Sequence, residues 1–138
     1  MAKLTVEVVT PEKRILSAQA DEAVVPGSLG LFGVRPGHTP FLSLVDAGPL
    51  TLKNGGATTE AYFVAGGFAE VANDKVRVLA DQAEPISSID VEGASQRLKA
   101  AQERLKGMTT QDERYEVEAA TVRREVARMT VAGRPPKL

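Results

Sequence analysis

The chain has 138 residues, with 18 acids against 17 bases, a single histidine and no cysteine, so it holds one domain or two small ones. Disulfides, thiolate metal sites and cysteine nucleophiles are excluded, and one histidine excludes imidazole-rich metal centres and histidine relays. A net charge of -1 speaks against nucleic acid as a partner, because binding phosphate needs a basic surplus.

No apolar run approaches the roughly 20 residues of a membrane-spanning helix. The opening MAKLTVEVV alternates like a strand and lacks the charged-then-apolar pattern of a signal peptide. A soluble protein of the cytoplasmic side is expected. Composition changes near Ile86: residues 1–86 hold 7 bases, 10 acids and 9 glycines, whereas residues 87–138 hold 10 bases, 8 acids and 3 glycines. A β domain over 1–86 followed by a helical domain over 87–138 is therefore expected.

In the first domain, Leu4-Thr5-Val6-Glu7-Val8 alternates apolar and polar residues with the period of two of a half-buried strand. Pro11-Glu12-Lys13 interrupts it, Ile15-Leu16 opens a second strand, and Ala23-Val24-Val25 forms a third that ends at Pro26-Gly27. A loop is predicted from Gly27 to Pro40. Strands follow at Phe41–Val45 and Pro49–Leu52, with Asn54-Gly55 as a hairpin turn. Ala61–Val64 and Phe68–Val71 flank a bend at Gly66-Gly67, and Asn73-Asp74 precedes a strand at Val76–Leu79. Eight to ten short strands without intervening helices predict an antiparallel sandwich or barrel rather than a parallel sheet with crossover helices.

The second domain reads as an antiparallel two-helix hairpin. Asp90 is the N-cap of the first helix, and Val91, Ala94, Leu98, Ala101, Leu105 and Met108 form one narrow apolar stripe that Gly107 terminates. Thr110 and Glu113 have capping-box spacing for the second helix, whose stripe is Tyr115, Ala119, Val122, Val126 and Met129. Acids fill its first half and Arg123, Arg124 and Arg128 its second, which suits the helix dipole. A loop of about three residues would force the stripes together. Burying a Leu, Val or Met contributes about 1.5–3 kcal/mol and an alanine much less, against roughly 1–2 kcal/mol of backbone entropy per residue. Gly93 in the first turn costs up to about 1 kcal/mol more. A marginal hairpin, able to leave its resting place, is expected.

No catalytic constellation emerges. A GxxxxGK[ST] loop is absent, and Gly27, Gly30 and Gly33 are not spaced as a dinucleotide fingerprint. No carboxylates stand at hydrolase spacing, and His38 reads as a loop histidine at a surface or interface rather than a general base. The residues favour an interaction subunit with no catalytic or metal-binding residues over an enzyme.

The stretch Val25-Pro26-Gly27-Ser28-Leu29-Gly30-Leu31-Phe32-Gly33-Val34-Arg35-Pro36-Gly37-His38-Thr39-Pro40 resembles the signature loop of the epsilon-subunit family of bacterial and chloroplast F-type ATP synthases. Val64–Val71 and Val76–Asp81 resemble that family's strand motifs, and the hairpin from Ile89-Asp90 has its place and length. The resemblance implies a non-catalytic rotor subunit of the central stalk. Its sandwich would bind the gamma subunit and the c-subunit ring, and its helices would lie folded or extend into the catalytic head to restrain ATP hydrolysis. It further implies an interface role for Leu31, Phe32, Arg35, His38, Thr39 and Pro40, although Leu31 replaces an acid of some members. Arg123, Arg124 and Arg128 would meet the alpha and beta catalytic subunits.

The resemblance further places a nucleotide motif of some bacterial members at the start of the first helix, where Asp90 is present but Gly93 replaces an arginine. With Arg124 and Arg128 left, ATP binding is expected to be weak or absent, since a lost charge-assisted contact is worth about 1.5–3 kcal/mol; no other cofactor is implied. The membrane would be reached only through the complex, on the cytoplasmic face of a bacterial plasma membrane or the stromal face of a thylakoid. From the residues alone, a stand-alone sandwich module with a helical dimerisation tail remains the alternative.

Overall fold

A computed structural model describes residues 2–137, which fall into two compact units divided between Ile86 and Ser87. Among the described residues no helix is long and apolar enough to cross a membrane.

The first unit contains ten strands: β1 (Leu4–Val9), β2 (Arg14–Ala20), β3 (Glu22–Gly27), β4 (Gly30–Val34), β5 (Phe41–Leu44), β6 (Gly48–Asn54), β7 (Ala57–Ala65), β8 (Phe68–Ala72), β9 (Lys75–Leu79) and β10 (Gln82–Pro85). They form two five-stranded sheets, ordered β2-β1-β9-β8-β5 and β10-β7-β6-β3-β4. The period-two pattern dictates which side chains enter the core. In β1, Leu4, Val6 and Val8 are fully buried, while Thr5, Glu7 and Val9 are only partly so. Val76 and Val78 of β9, Ala69 and Val71 of β8, Val25 of β3, Val34 of β4, and Leu50 and Leu52 of β6 complete that core. The pairing is antiparallel with one exception, β1 against β9, where Val6 aligns with Val76 and Val8 with Val78.

Two strands lie outside the predicted set. The expected loop from Gly27 to Pro40 contains β4, which turns back through Ser28-Leu29 and pairs Phe32 with Val25 and Val34 with Ala23. Its two glycines dilute the strand pattern, but an edge strand tolerates them. The other is β10, a polar, proline-ended edge segment paired with β7. The expected Asn54-Gly55 turn sits one residue later: Gly55 and Gly56 have φ of 60° and 81°, and Asn54 pairs with Ala57.

The second unit consists of α1 (Val91–Leu105) and α2 (Tyr115–Val131). Asp90 caps α1 by accepting a 3.0 Å hydrogen bond from the Gly93 amide. Ala94, Leu98 and Ala101 are buried along the predicted stripe. The start of α2 differs from the expected capping box. Residues 109–114 form turns instead, in which the Thr109 amide donates to Asp112 and the Gln111 amide to the Thr109 hydroxyl. Arg114 stands at the N-cap without a side-chain cap bond, so the connection spans residues 106–114 rather than about three. At the far end the Gly133 amide donates to the Thr130 carbonyl and the Arg134 amide to the Met129 carbonyl, a Schellman closure with Gly133 at φ 78°.

Gly67 is the tightest point of the sandwich. Its φ is 88°, and a Cβ there would lie 1.7 Å from the Leu79 carbonyl oxygen. Gly67→Ala must therefore move backbone as well as adopt an unfavourable φ. Urea unfolding of this variant is expected to show a loss of roughly 2–4 kcal/mol.

Candidate functional site

Of the residues singled out from the sequence, Leu31, Phe32, Arg35, His38, Thr39 and Pro40 lie on or between the two edge strands β4 and β5, and Asp90, Arg123, Arg124 and Arg128 lie in the helical unit. Hydrogen bonds from the Ser28 amide to the Leu44 carbonyl and from the Asp46 amide to the Pro26 carbonyl stitch the end of β3 to β5. Opposite Phe41 and Ser43 stand the buried Val71 and Ala69 of β8, and opposite Leu42 and Leu44 stand Glu70 and Phe68, so the two sets occupy opposite faces of β5, with Phe41 itself still 46% exposed. Leu42 is 65% exposed, Leu44 66% and Phe68 40%. Leu29 and Leu31, at the β3–β4 turn, are also exposed.

Phe32 and His38 come together around Phe41. The Phe32 and Phe41 rings meet edge to face at 5.2 Å, and His38 approaches Phe41 at 6.2 Å. His38 Nδ1 lies 2.6 Å from the Thr39 carbonyl oxygen. A carbonyl only accepts, so Nδ1 carries the proton of that contact. The loop that presents His38 is pinned at two places: the Gly37 amide donates to Asp74 at 2.7 Å, and Arg35 donates to Glu22 at 3.2 Å. Thus Arg35 turns back to Glu22, and Leu31 stands on the outer side of β4, away from the aromatic trio. Thr39 and Pro40 are exposed.

Sequence reasoning passed over Leu42, Leu44 and Phe68 as surface residues. The signal was present in Phe41-Leu42-Ser43-Leu44, which breaks the alternation by placing large apolar groups on both faces of an edge strand.

The helical unit holds its charges differently from the solvated face that dipole matching implies. Glu125 is fully buried and accepts from Arg97 Nε at 3.1 Å, Arg124 Nε at 3.0 Å and Arg128 Nε at 3.1 Å. Glu118 is buried too, accepting from Arg104 Nε, with Arg114 at 3.6 Å. Arg128 is itself buried, whereas Arg123 is exposed and pairs with Glu116 at 2.6 Å. The residues buried on α2 are accordingly Glu118, Glu125, Arg128 and Met129, with Val122 and Val126 half-buried. This face contains the predicted stripe and is wider than it on one side, because a glutamate met by an arginine can enter an interface from which charge alone would bar it. Burial pushes the Glu125 pKa up, but Arg128, Arg124 and Arg97 outweigh it and hold the carboxyl below its ordinary value.

A family model described as "ATP synthase, Delta/Epsilon chain, beta-sandwich domain" matches residues 3–86. The chain is 70% identical over 132 residues to the ATP synthase epsilon chain of Myxococcus xanthus (strain DK1622), covering 96% of each chain. It is 50% identical to the ATP synthase epsilon chain of Anaeromyxobacter sp. (strain K), covering 95% of this chain and 98% of that relative. Among solved structures, it superposes on a chain of the Euglena gracilis mitochondrial ATP synthase, OSCP/F1/c-ring in rotational state 1, with a TM-score of 0.75. That match has 22% identity and covers 91% of this chain and 78% of the other, a likeness of fold.

The Glu125 arrangement gives the helical unit a pH dependence of definite sign. A carboxyl whose folded pKa is lowered contributes stability above its unfolded value, near 4.3, and that contribution disappears as pH falls through the folded pKa. Protection of the α1 and α2 amides, taken relative to the intrinsic exchange rate at each pH, is expected to fall on acidification below about pH 4, and Glu125→Gln to remove most of that acid-dependent component.

Proposed function

The chain belongs to the ATP synthase delta/epsilon family, among its epsilon chains, and from that premise we propose that it is a non-catalytic rotor subunit of the central stalk. In this reading the sandwich binds the gamma subunit and stands on the c-subunit ring, so that proton flow is coupled to rotation and ATP synthesis. The subunit is peripheral, held on the cytoplasmic side of a bacterial plasma membrane through the complex. The bacterial relatives support that placement.

The observation that carries the reading is the outward-facing apolar set on β5 and β8. A strand buries one face in its own core, so large apolar groups on the other face are suited to a partner. Leu42, Leu44 and Phe68 supply such a face for gamma, and the pinned loop with Leu31, Phe32, Arg35, His38, Thr39 and Pro40 supplies the adjoining contact with gamma and the c ring. Phe32 and His38 contribute by fixing Phe41; Leu31 contributes by direct exposure. An apolar Leu31 makes that contact one of packing rather than charge.

The helical hairpin is the regulatory part, extending toward the alpha and beta catalytic subunits and restraining ATP hydrolysis. Arg123, the exposed member of the basic trio, is best placed to meet acidic surface, while Arg124 and Arg128 are already engaged with Glu125. The same engagement, together with Gly93, supports weak or absent ATP binding through Asp90, Arg124 and Arg128.

Leu42→Asp and Leu44→Asp are expected to weaken capture by gamma at least tenfold, about 1.4 kcal/mol, while unfolding free energy stays within about 0.5 kcal/mol, as for surface changes generally. Undiminished capture would exclude this face. Ending the chain after Ile86 is expected to leave assembly intact and raise ATP hydrolysis by the complex; unchanged hydrolysis would confine the subunit to coupling.

A further inference from the structure

The apolar seam of the helical hairpin is slight. Its cluster comprises Ala94, Leu98 and Met129, with Val91, Val122 and Val126 partly buried. Two buried carboxylates stand beside this seam, and each is met from the other helix: Glu118 by Arg104 and Glu125 by Arg97. Arg97 and Arg104 are seven residues apart on α1, and Glu118 and Glu125 are seven apart on α2, in the opposite order. One antiparallel register therefore satisfies both pairs. At 1.5 Å rise per residue, re-pairing a single arginine with the other glutamate would take a slide of about 10 Å and leave the second pair broken.

The asymmetry of exposure matters as well. Glu125 is 0% and Glu118 4% exposed, whereas Arg97 and Arg104 are about half exposed, at 50% and 51%. Water can solvate a guanidinium whose partner has moved. A carboxylate left in the interface has no such recourse: Glu125 would keep only Arg124 and Arg128 and Glu118 only Arg114, each short of one guanidinium in a buried place. Among the described residues, no buried side-chain nitrogen or oxygen lacks a hydrogen-bond partner, and the two cross-helix pairs are part of that closure.

We propose that Glu118 and Glu125 form a register lock: α1 cannot slide along α2 without taking from each buried carboxylate the one guanidinium that reaches it from the other helix, and these cross-helix pairs set the hairpin's opening equilibrium more than its apolar seam does. Such a lock uses buried charge for registry, as single polar residues do in coiled coils. It concerns the free chain and does not rest on assembly into a rotary complex, so its test succeeds or fails separately from that reading.

The test is hydrogen exchange, followed by mass spectrometry, on the full-length chain at neutral pH. Glu125→Gln and Glu118→Gln preserve side-chain volume and remove charge. Each is expected to speed exchange in both α1 and α2 at least tenfold, with β1 and β9 of the sandwich unchanged. Exchanging the charges in the double variant Arg104→Glu, Glu118→Arg is expected to recover part of the protection that Arg104→Glu alone loses. Helix exchange within twofold of the parent in both glutamine variants would overturn the lock, because packing alone would then hold the helices. An equal acceleration in β1 and β9 would overturn it too, since the carboxylates would then act on general folding.

Discussion

A pleated strand can hide only alternate side chains in one core, and most of what this chain is suited to follows from that restriction. Where the alternation is strict, as in Leu4, Val6 and Val8, a strand closes on the opposing sheet and leaves polar or smaller groups outside. Where it is violated, in Phe41-Leu42-Ser43-Leu44, the sandwich can use only one of the two sets. Phe41 takes one face and meets Phe32 and His38 while staying partly exposed, and Leu42 and Leu44 take the other beside Phe68. The aromatic trio and the outer apolar set are thus two sides of one edge strand. A change at position 41 disturbs the support of the loop, whereas a change at position 42 alters only the surface it presents.

The helical unit answers a related problem in another way. Two short helices with alanine-rich stripes lack enough apolar side chain to define one register by packing alone. Charge supplies the missing definition, but it does so from inside the interface, where a carboxylate is tolerable only with its guanidinium in place. The basic half of α2 therefore has two roles rather than one: Arg124 and Arg128 serve the interior of their own hairpin, and Arg123 faces water.

These two solutions differ in how far the sequence discloses them. Strands such as Leu4–Val9 and Lys75–Leu79 are legible because their β-branched residues repeat at period two and turn residues bound them. The strand Gly30–Val34 is not, since its glycines and the neighbouring prolines imitate a loop; only pairing with Glu22–Gly27 makes it a strand. On α1 the apolar pattern matches the buried face. On α2 it gives the apolar part, Val122, Val126 and Met129, but misses Glu118 and Glu125, because pattern reading assigns every glutamate to solvent and has no means of seeing that Arg97 and Arg104 wait on the other helix. The signature loop is legible as a motif, but Arg35 returning to Glu22 and Gly37 held by Asp74 depend on partners 13 and 37 residues away.

The single parallel pairing has a consequence for how the protein is made. Because β1 sits between β2 and β9, with Val6 beside Val76, one hydrogen-bonding edge of β1 stays vacant until a strand some 70 residues further along the chain reaches it. Such long-range closure slows folding relative to local hairpins. Any intermediate in which β1 has paired with β2 but not with β9 thus presents an open, valine-rich strand edge, the kind of edge that invites pairing with the wrong chain.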